Sequence, residues 1–436
     1  MKHVLTLVTV LLFMPLFAGS VVADDSLADW KHSGTLAILT TPDGANLPES
    51  ARLEGFPVLV RLSKATFDFR QAQPRGEDVR FSAEGKPLAY QVEQWDAEQQ
   101  VAAIWVRVPE IRGNARQLIR MHWGRANAES QSNGAAVFNE SNGFVVAMHL
   151  SDPANPVKDE VGTVSPVDAG TTSSPGVIGL ARRFDAGKGI ACGDQLDGLP
   201  VGSEPNTTQA WIRAEQVNTT VVGWGNEQGQ GKVVMQLRSP PHLLMDCYFS
   251  NSDVAGESRV PMGEWVHVVH TYAPGDSRVY VNGRLDGVTA RNGSPLNIRT
   301  PARMWLGGWY GRYQFRGEID EARLSRVARS ADWVRLEYEN QKPLQTLVGT
   351  LVQTGDTFAV SQNNVVLDEG RTVTLTAKAG GAEKVYWLLT RDGKDNGKED
   401  VVAVDAFSYT FDAGRVVGDT RSRVRFKAVY PQEVKI

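Results

Sequence analysis

The stretch "GEWVHVVHTYAPGDSRVYVNGRLDG", residues 263–287, decides the fold. Successive side chains of a strand point to opposite faces. Trp265, His267 and Val269 therefore share one face, while Val266, Val268, His270 and Tyr272 share the other. A small polar turn follows, and then Val-Tyr-Val meets Asn282-Gly283. Those two residue types accept the positive φ angles of a type I′ turn, so Tyr280-Val281 and Arg284-Leu285 are expected to fold back as a hairpin. This order builds consecutive antiparallel strands of a jelly-roll sheet.

Upstream, residues 24–142 hold further runs of the same kind. "FPVLVRL" places Phe56, Val58, Val60 and Leu62 on one face. "VAAIWVRV" places Ala102, Ile104, Val106 and Val108 on one face, with Trp105 and Arg107 on the other. "RQLIRMHWG" does so with Ile119, Met121 and Trp123. No long amphipathic helix interrupts them, and the region reads as a β-sandwich.

Downstream, "FRGEIDEARLSRVARSADWVRLEYEN" supplies a strand and a short helix. Ser330 is its expected N-cap, Asp332 suits the positive end of the helix, and Trp333 with Leu336 forms one apolar stripe. The unit 143–342 is then followed by "QKPLQTLVGTLVQTGD", read as a polar linker. Residues 357–436 alternate again, in "RTVTLTAKAG", "EKVYWLLTRDG", "FSYTFDAG" and "SRVRFKAVY", as an immunoglobulin-like sandwich. The disulfide of antibody domains is missing. "PQEVKI" is either a short last strand or the sign of an incomplete domain.

A chain of 436 residues exceeds one hydrophobic core, and 42 Gly with 11 Trp suits many short strands joined by tight turns. A net charge of −4 leaves no basic stripe, which excludes nucleic acid as a partner. "MKHVLTLVTVLLFMPLFAGSVVADD" has a Lys, an apolar core and small residues at Val21 and Ala23 before Asp24. Residues 1–23 are therefore read as a cleaved signal peptide rather than an anchor, since Pro15 breaks a run already short for a span. The expected location is periplasmic or extracellular. Cys192 and Cys247 are the only cysteines, and an exported chain leaves two readings open, one bridge or two buried thiols.

Two resemblances sharpen this. The run "FPVLVRLSKATFDFRQAQPRGEDVRFSAEGKPLAYQVEQWDAEQQVAAIWVRVPEI" with "IRMHWGRANAESQSNGAAVF" resembles a bacterial domain of unknown function that precedes lectin-like domains in exported proteins. Some of its members associate with proton channels of the ExbB/TolQ type, which implies an envelope role. "RRFDAG", the opening stretch and "GEIDEARLSR" resemble laminin-G-like domains of the concanavalin A-like lectin/glucanase superfamily. The whole is thus expected to be all-β, a signal peptide followed by three sandwiches.

That superfamily includes glucanases, whose retaining members need Glu, Asp and Glu at alternate strand positions, the outer pair about 5–5.5 Å apart. In "GEIDEARL" Glu318 and Asp320 share a face, but Ala322 holds the third position and Glu321 points away unless a bulge intervenes. No catalytic residue is therefore assigned. Asp320 is expected to be a buried carboxylate accepting backbone hydrogen bonds. Asp320 or Asp185 could ligate Ca²⁺, but that ion needs about six to eight oxygens and no local run supplies them. His267 and His270 face opposite ways and are read as structural. No metal or other cofactor is assigned. The best ligand-binding cluster is "GGWYGRYQF", where Trp309, Tyr310, Arg312 and Tyr313 can stack on and hydrogen-bond a sugar, with Trp224 a second candidate on another loop. These features point to a non-catalytic protein binding glycan or an envelope protein. The alternatives are a structural adaptor of a proton-channel assembly and a glycoside hydrolase.

Overall fold

The computed structural model describes residues 27–246, 252–289, 295–309, 312–391 and 398–436. The expected leader, Cys247 and Tyr310 lie outside the described residues. The N-terminal unit is a sandwich of two antiparallel sheets. One runs Arg52–Ser63, Val101–Arg112, Tyr90–Asp96; the other runs His32–Leu39, Arg116–Trp123, Arg80–Ala83, Lys86–Leu88. Phe56, Val58, Val60, Ile104, Val106, Ile119 and Met121 form its core, as the alternation predicts. Leu59 and Trp105 sit on the other face and are also fully buried. The three-stranded sheet is therefore covered on both sides.

The second unit packs an eight-stranded sheet on a seven-stranded one. Val266–Ala273 and Asp276–Val281 pair with Val268 opposite Val281, and Arg284–Thr289 follows through Asn282 (φ 49°) and Gly283 (φ 74°). This is the type I′ hairpin that the sequence calls for. Val266, Val268 and Tyr272 enter the core between the sheets. His267 faces out, and Asn282 Oδ1 accepts a 2.9 Å hydrogen bond from its backbone N–H.

The helix Ala331–Gln341 covers that outer face. Ser330 Oγ accepts from Trp333 N–H at 3.2 Å, the expected cap. The helix is not a one-sided lid, however. Val334 packs on Val269 and Tyr280, whereas Trp333 and Leu336 belong to the core of the N-terminal unit, with the Trp333 ring 4.8 Å from that of Phe56. Phe144 and Ala147, from the first strand of the second unit, enter the same core. Each large apolar side chain so buried contributes about 1.5–3 kcal/mol, so the two units are tied together at several points.

Residues 343–356 are not the polar linker that their composition suggests. Leu347, Val348 and Leu351 are buried in the N-terminal core, and Leu39 N–H and Gly349 N–H exchange 2.8 Å hydrogen bonds with Leu347 O and Ala37 O. The segment thus extends the edge of the four-stranded sheet, and its apolar residues rather than its Gln and Thr determine its place. The C-terminal unit is a sandwich of a three-stranded and a four-stranded sheet around Trp387 and Phe426. Val434–Lys435 pairs with Ser422–Val429, so "PQEVKI" does supply a short last strand. Tyr386, Leu388 and Val429 pack on Ala37 and Leu39, and Lys427 reaches Asp43 at 2.7 Å.

Candidate functional site

The strand Gly317–Ser325 carries the acidic motif, and its geometry differs from plain alternation. Trp211 pairs with Asp320 and Gln209 with Arg323, which leaves one extra residue on the acidic strand. Glu321, at φ 52°, lies within this β-bulge. Ile319, Ala322 and Leu324 consequently turn into the core of the second unit, whereas Glu318, Asp320, Glu321 and Arg323 all bond groups outside that core. The bulge that the sequence left open is thus present, and it brings Glu321 out of the face opposite Asp320.

Each acid there is engaged. Glu318 accepts from Arg213 and Arg183 at 2.9 Å, and although burial opposes it, these two cations hold its carboxyl below the usual range. Asp320 is fully buried and accepts from the backbone N–H groups of Val177 (2.8 Å) and Ile178 (3.1 Å), as the sequence suggests. Burial and the neighbouring Glu321 and Glu93 raise it well above the carboxylate norm. Glu321 pairs with Arg323 through Oε2, and its Oε1 lies 2.9 Å from His149 Nδ1.

His149 follows the strand Phe144–Met148 and is held from all sides. Its ring stacks on Trp105 (5.7 Å, 20°) and meets Phe138 edge-on at 5.2 Å. Its Nε2 lies 3.1 Å from Gln91 Oε1, and its Nδ1 lies 3.4 Å from Glu93 Oε2. Burial opposes the charged imidazole, but the two carboxylates prevail and its pKa is raised. Glu93 accepts from Trp105 Nε1 at 2.6 Å, and burial pushes its carboxyl up to about 7 against the pull of His149. A cavity of about 280 Å³, lined by Gln91, Ser132, Ser151, Asp152, Asn155 and Lys158, opens beside Glu93 and His149. The sequence reading missed this cluster because its members come from three separated segments. Trp105 is the one clue, an aromatic on a supposedly outward face.

The predicted ligand loop is distributed differently from expectation. Trp309 is only 3% exposed. It forms a β-bridge with Arg312, and its ring fills the space over Gly223, where a Cβ would lie 2.6 Å from the indole. Its Nε1 donates to Glu227, with Lys232 and Arg303 about the ring at 6.0 and 5.9 Å. Trp309 is thus a covered packing residue rather than a free stacking surface, because Gly223 leaves room for its ring on the sheet. Trp224 is corrected too: it lies within Thr219–Gly225, fully buried, with Nε1 donating to Thr208 Oγ1 at 3.0 Å. Arg312 and Tyr313 are exposed, and Arg238 lies 4.9 Å from the Tyr313 ring.

Beside this loop runs the outer face of the seven-stranded sheet. Ala302, Met304 and Leu306 point inward, so Arg303 and Trp305 point out. Trp305 pairs across to Ala191 and Gly223, and its indole is half-buried, with the Trp309 ring occupying the space over Gly223 beside it. Its Nε1 and Arg303 Nη2 both reach Asp194 Oδ1, at 3.3 and 2.7 Å. The sequence reading passed over Trp305, although the alternation of "ARMWL" would have turned it outward.

The remaining candidates are structural. His267 lies against Trp211 and Tyr338, and His270 Nε2 meets Ser277 Oγ at 2.9 Å. Burial lowers both to about 3, so both stay neutral. Asp185 is exposed and 3.6 Å from Arg183. Cys192 is buried with Sγ 4.0 Å from Met148 Sδ, and burial pushes its thiol up.

Comparison with known proteins agrees with this architecture. Residues 75–148 match the model of a domain of unknown function (DUF2341), and residues 187–335 match that of the concanavalin A-like lectin/glucanases superfamily. No curated protein matches. Among solved structures, domain 4 of AbnA, a GH43 extracellular arabinanase of Geobacillus stearothermophilus in complex with arabinotriose, is 21% identical, covering 44% of this chain and 97% of that one (TM-score 0.36). The CBM40 of a Ruminococcus gnavus IT-sialidase, bound to α2,3-sialyllactose, is 16% identical over 31% of this chain and 82% of that one (TM-score 0.28). A heptameric SAP-like pentraxin of Limulus polyphemus is 17% identical over 32% and 71% (TM-score 0.27). Likenesses of this degree say nothing about what this chain binds. The chain joins a DUF2341-type domain to a domain of the concanavalin A-like lectin/glucanases superfamily and an immunoglobulin-like sandwich.

Proposed function

We propose that the protein is a non-catalytic glycan-binding protein acting outside the bacterial cytoplasm, and that sugar rests on the outer face of the seven-stranded sheet. The observation that carries this reading is Trp305, a half-buried indole on that outer face, bordered by Asp194 and Arg303. Apolar sugar faces stack on such rings, while a carboxylate and a guanidinium bond the hydroxyls around them. Arg312, bridged to Trp309, and Tyr313, beside Arg238, are exposed as well. The engagement of Glu318, Asp320 and Glu321 by cations and backbone N–H groups supports a binding rather than a hydrolytic role. An adaptor reading would have the 307–315 loop buried against a neighbouring unit, whereas Trp309 packs within its own sheet.

The test is a glycan array probed with the purified chain, with and without Ca²⁺, beside Trp305→Ala. Binding by the parent that Trp305→Ala loses, with the fold intact, supports the reading. An array bound equally by both, or by neither, overturns it.

A further inference from the structure

Between the N-terminal and lectin-like units lies a second candidate site, unrelated to the glycan face. Glu93, His149 and Glu321 place one ligand atom each within 4.8 Å of one another. His149 Nδ1 is 2.9 Å from Glu321 Oε1 and 3.4 Å from Glu93 Oε2. Ligands sharing a tetrahedral ion at bond lengths of about 2.0–2.2 Å stand about 3.3–3.5 Å apart, which the His149–Glu93 separation matches. We propose that these three residues bind a divalent transition-metal ion of the Zn²⁺ class.

Three further observations carry the assignment. Glu93 Oε1 is buried without a hydrogen bond of ordinary length, on a side chain only 2% exposed, with the Ser151 hydroxyl the group that acts on this carboxyl besides Trp105. A buried carboxylate oxygen without a close partner is costly, and a cation in the cluster would supply one. The atoms behind the ligands are those an ion needs. Gln91 Oε1 faces His149 Nε2, which fixes the tautomer that leaves Nδ1 to coordinate. Arg323 holds Glu321 Oε2 and Trp105 holds Glu93, so both carboxylates are oriented. Finally, the donor set is one imidazole with two carboxylates, which suits Zn²⁺ and its neighbours and is too poor in oxygen for Ca²⁺. The cavity lined by Ser151 and Asp152 offers a fourth position to water or a small ligand. On binding, the ion takes the place of a proton at Nδ1, which leaves to solvent.

Purified chain, stripped with chelator, is titrated calorimetrically with Zn²⁺ and separately with Ca²⁺. One equivalent of Zn²⁺ and no comparable uptake of Ca²⁺ are expected. Glu93→Gln keeps an acceptor for Trp105 and should weaken Zn²⁺ at least about tenfold, by analogy with the loss of supporting groups at metal sites; His149→Gln should abolish it. Loading with Co²⁺ should give the visible absorption of a tetrahedral nitrogen–oxygen site, lost in both variants. If His149→Gln does not fold, Glu93→Gln decides alone. No stoichiometric Zn²⁺, or an affinity unchanged in Glu93→Gln, overturns the proposal.

Discussion

The side-chain amide of Asn340 pairs with the backbone of Leu59 in both directions, accepting from its N–H at 2.7 Å and donating to its C=O at 3.0 Å. One residue of a helix thereby acts as a strand neighbour for a sheet 281 positions away in sequence. Asn340→Ala strands both groups in a buried setting, at a cost of about 1–3 kcal/mol each. Urea unfolding followed by tryptophan fluorescence should show the loss. An unchanged midpoint would mean that water reaches Leu59.

Trp309 and Tyr313 should separate by readout. Trp309→Ala removes a covered indole and is expected to lower stability by about 3 kcal/mol or more, within the usual range for a buried aromatic. Tyr313→Ala, 44% exposed, should leave the melting temperature nearly unchanged and reduce glycan retention instead. The reverse pattern would put the sugar on Trp309.

Acid should weaken the fold through its neutral histidines. Burial, reinforced by Arg323, holds His267 at about 3, against an unfolded value of about 6.5. Between these values the unfolded chain carries a proton that the folded chain lacks, so stability falls as pH drops below about 6.5. The slope is about 1.4 kcal/mol per pH unit for each such group. His267→Phe keeps the stacking with Trp211 and Tyr338 but cannot titrate. Its stability profile from pH 7 to 5 should be flatter than the parent's by that slope; parallel profiles refute the assignment.

Gly283→Ala should be more harmful than an ordinary turn substitution. The residue sits at φ 74°, and a Cβ would come within 2.8 Å of Tyr338 Cβ. Strain of about 1–3 kcal/mol is expected from the backbone alone, visible as a lower melting temperature. A neutral outcome would show that the helix yields.

What was legible in the sequence follows from what alternation can encode. The hairpin at Asn282-Gly283, the inward set around Val266 and Val268 and the cap at Ser330 are local, and they stand where the residues predict. The bulge at Glu321 is not local, because the extra residue is forced by pairing with the strand Asn206–Ala214. Trp309 and Trp224 were misjudged because glycine-flanked aromatics read as loops, whereas Gly223 makes room for the Trp309 ring on the sheet and Trp224 lies inside a strand facing the core. The His149 cluster was hidden because Glu93, His149 and Glu321 meet only through tertiary packing. Leu347 and Val348 show the same limit, since two apolar residues in a polar stretch gave no sign of the edge they extend.

The core that takes in Phe144, Trp333 and Leu347 has a consequence for inheritance. The lectin-like unit is written as a parenthesis inside another fold, opened after residue 142 and closed by the helix and the edge segment that follow it. Recombination at either mark would hand on a sandwich stripped of part of its interior. The smallest heritable piece that keeps this interior whole runs from Leu36 to Leu351.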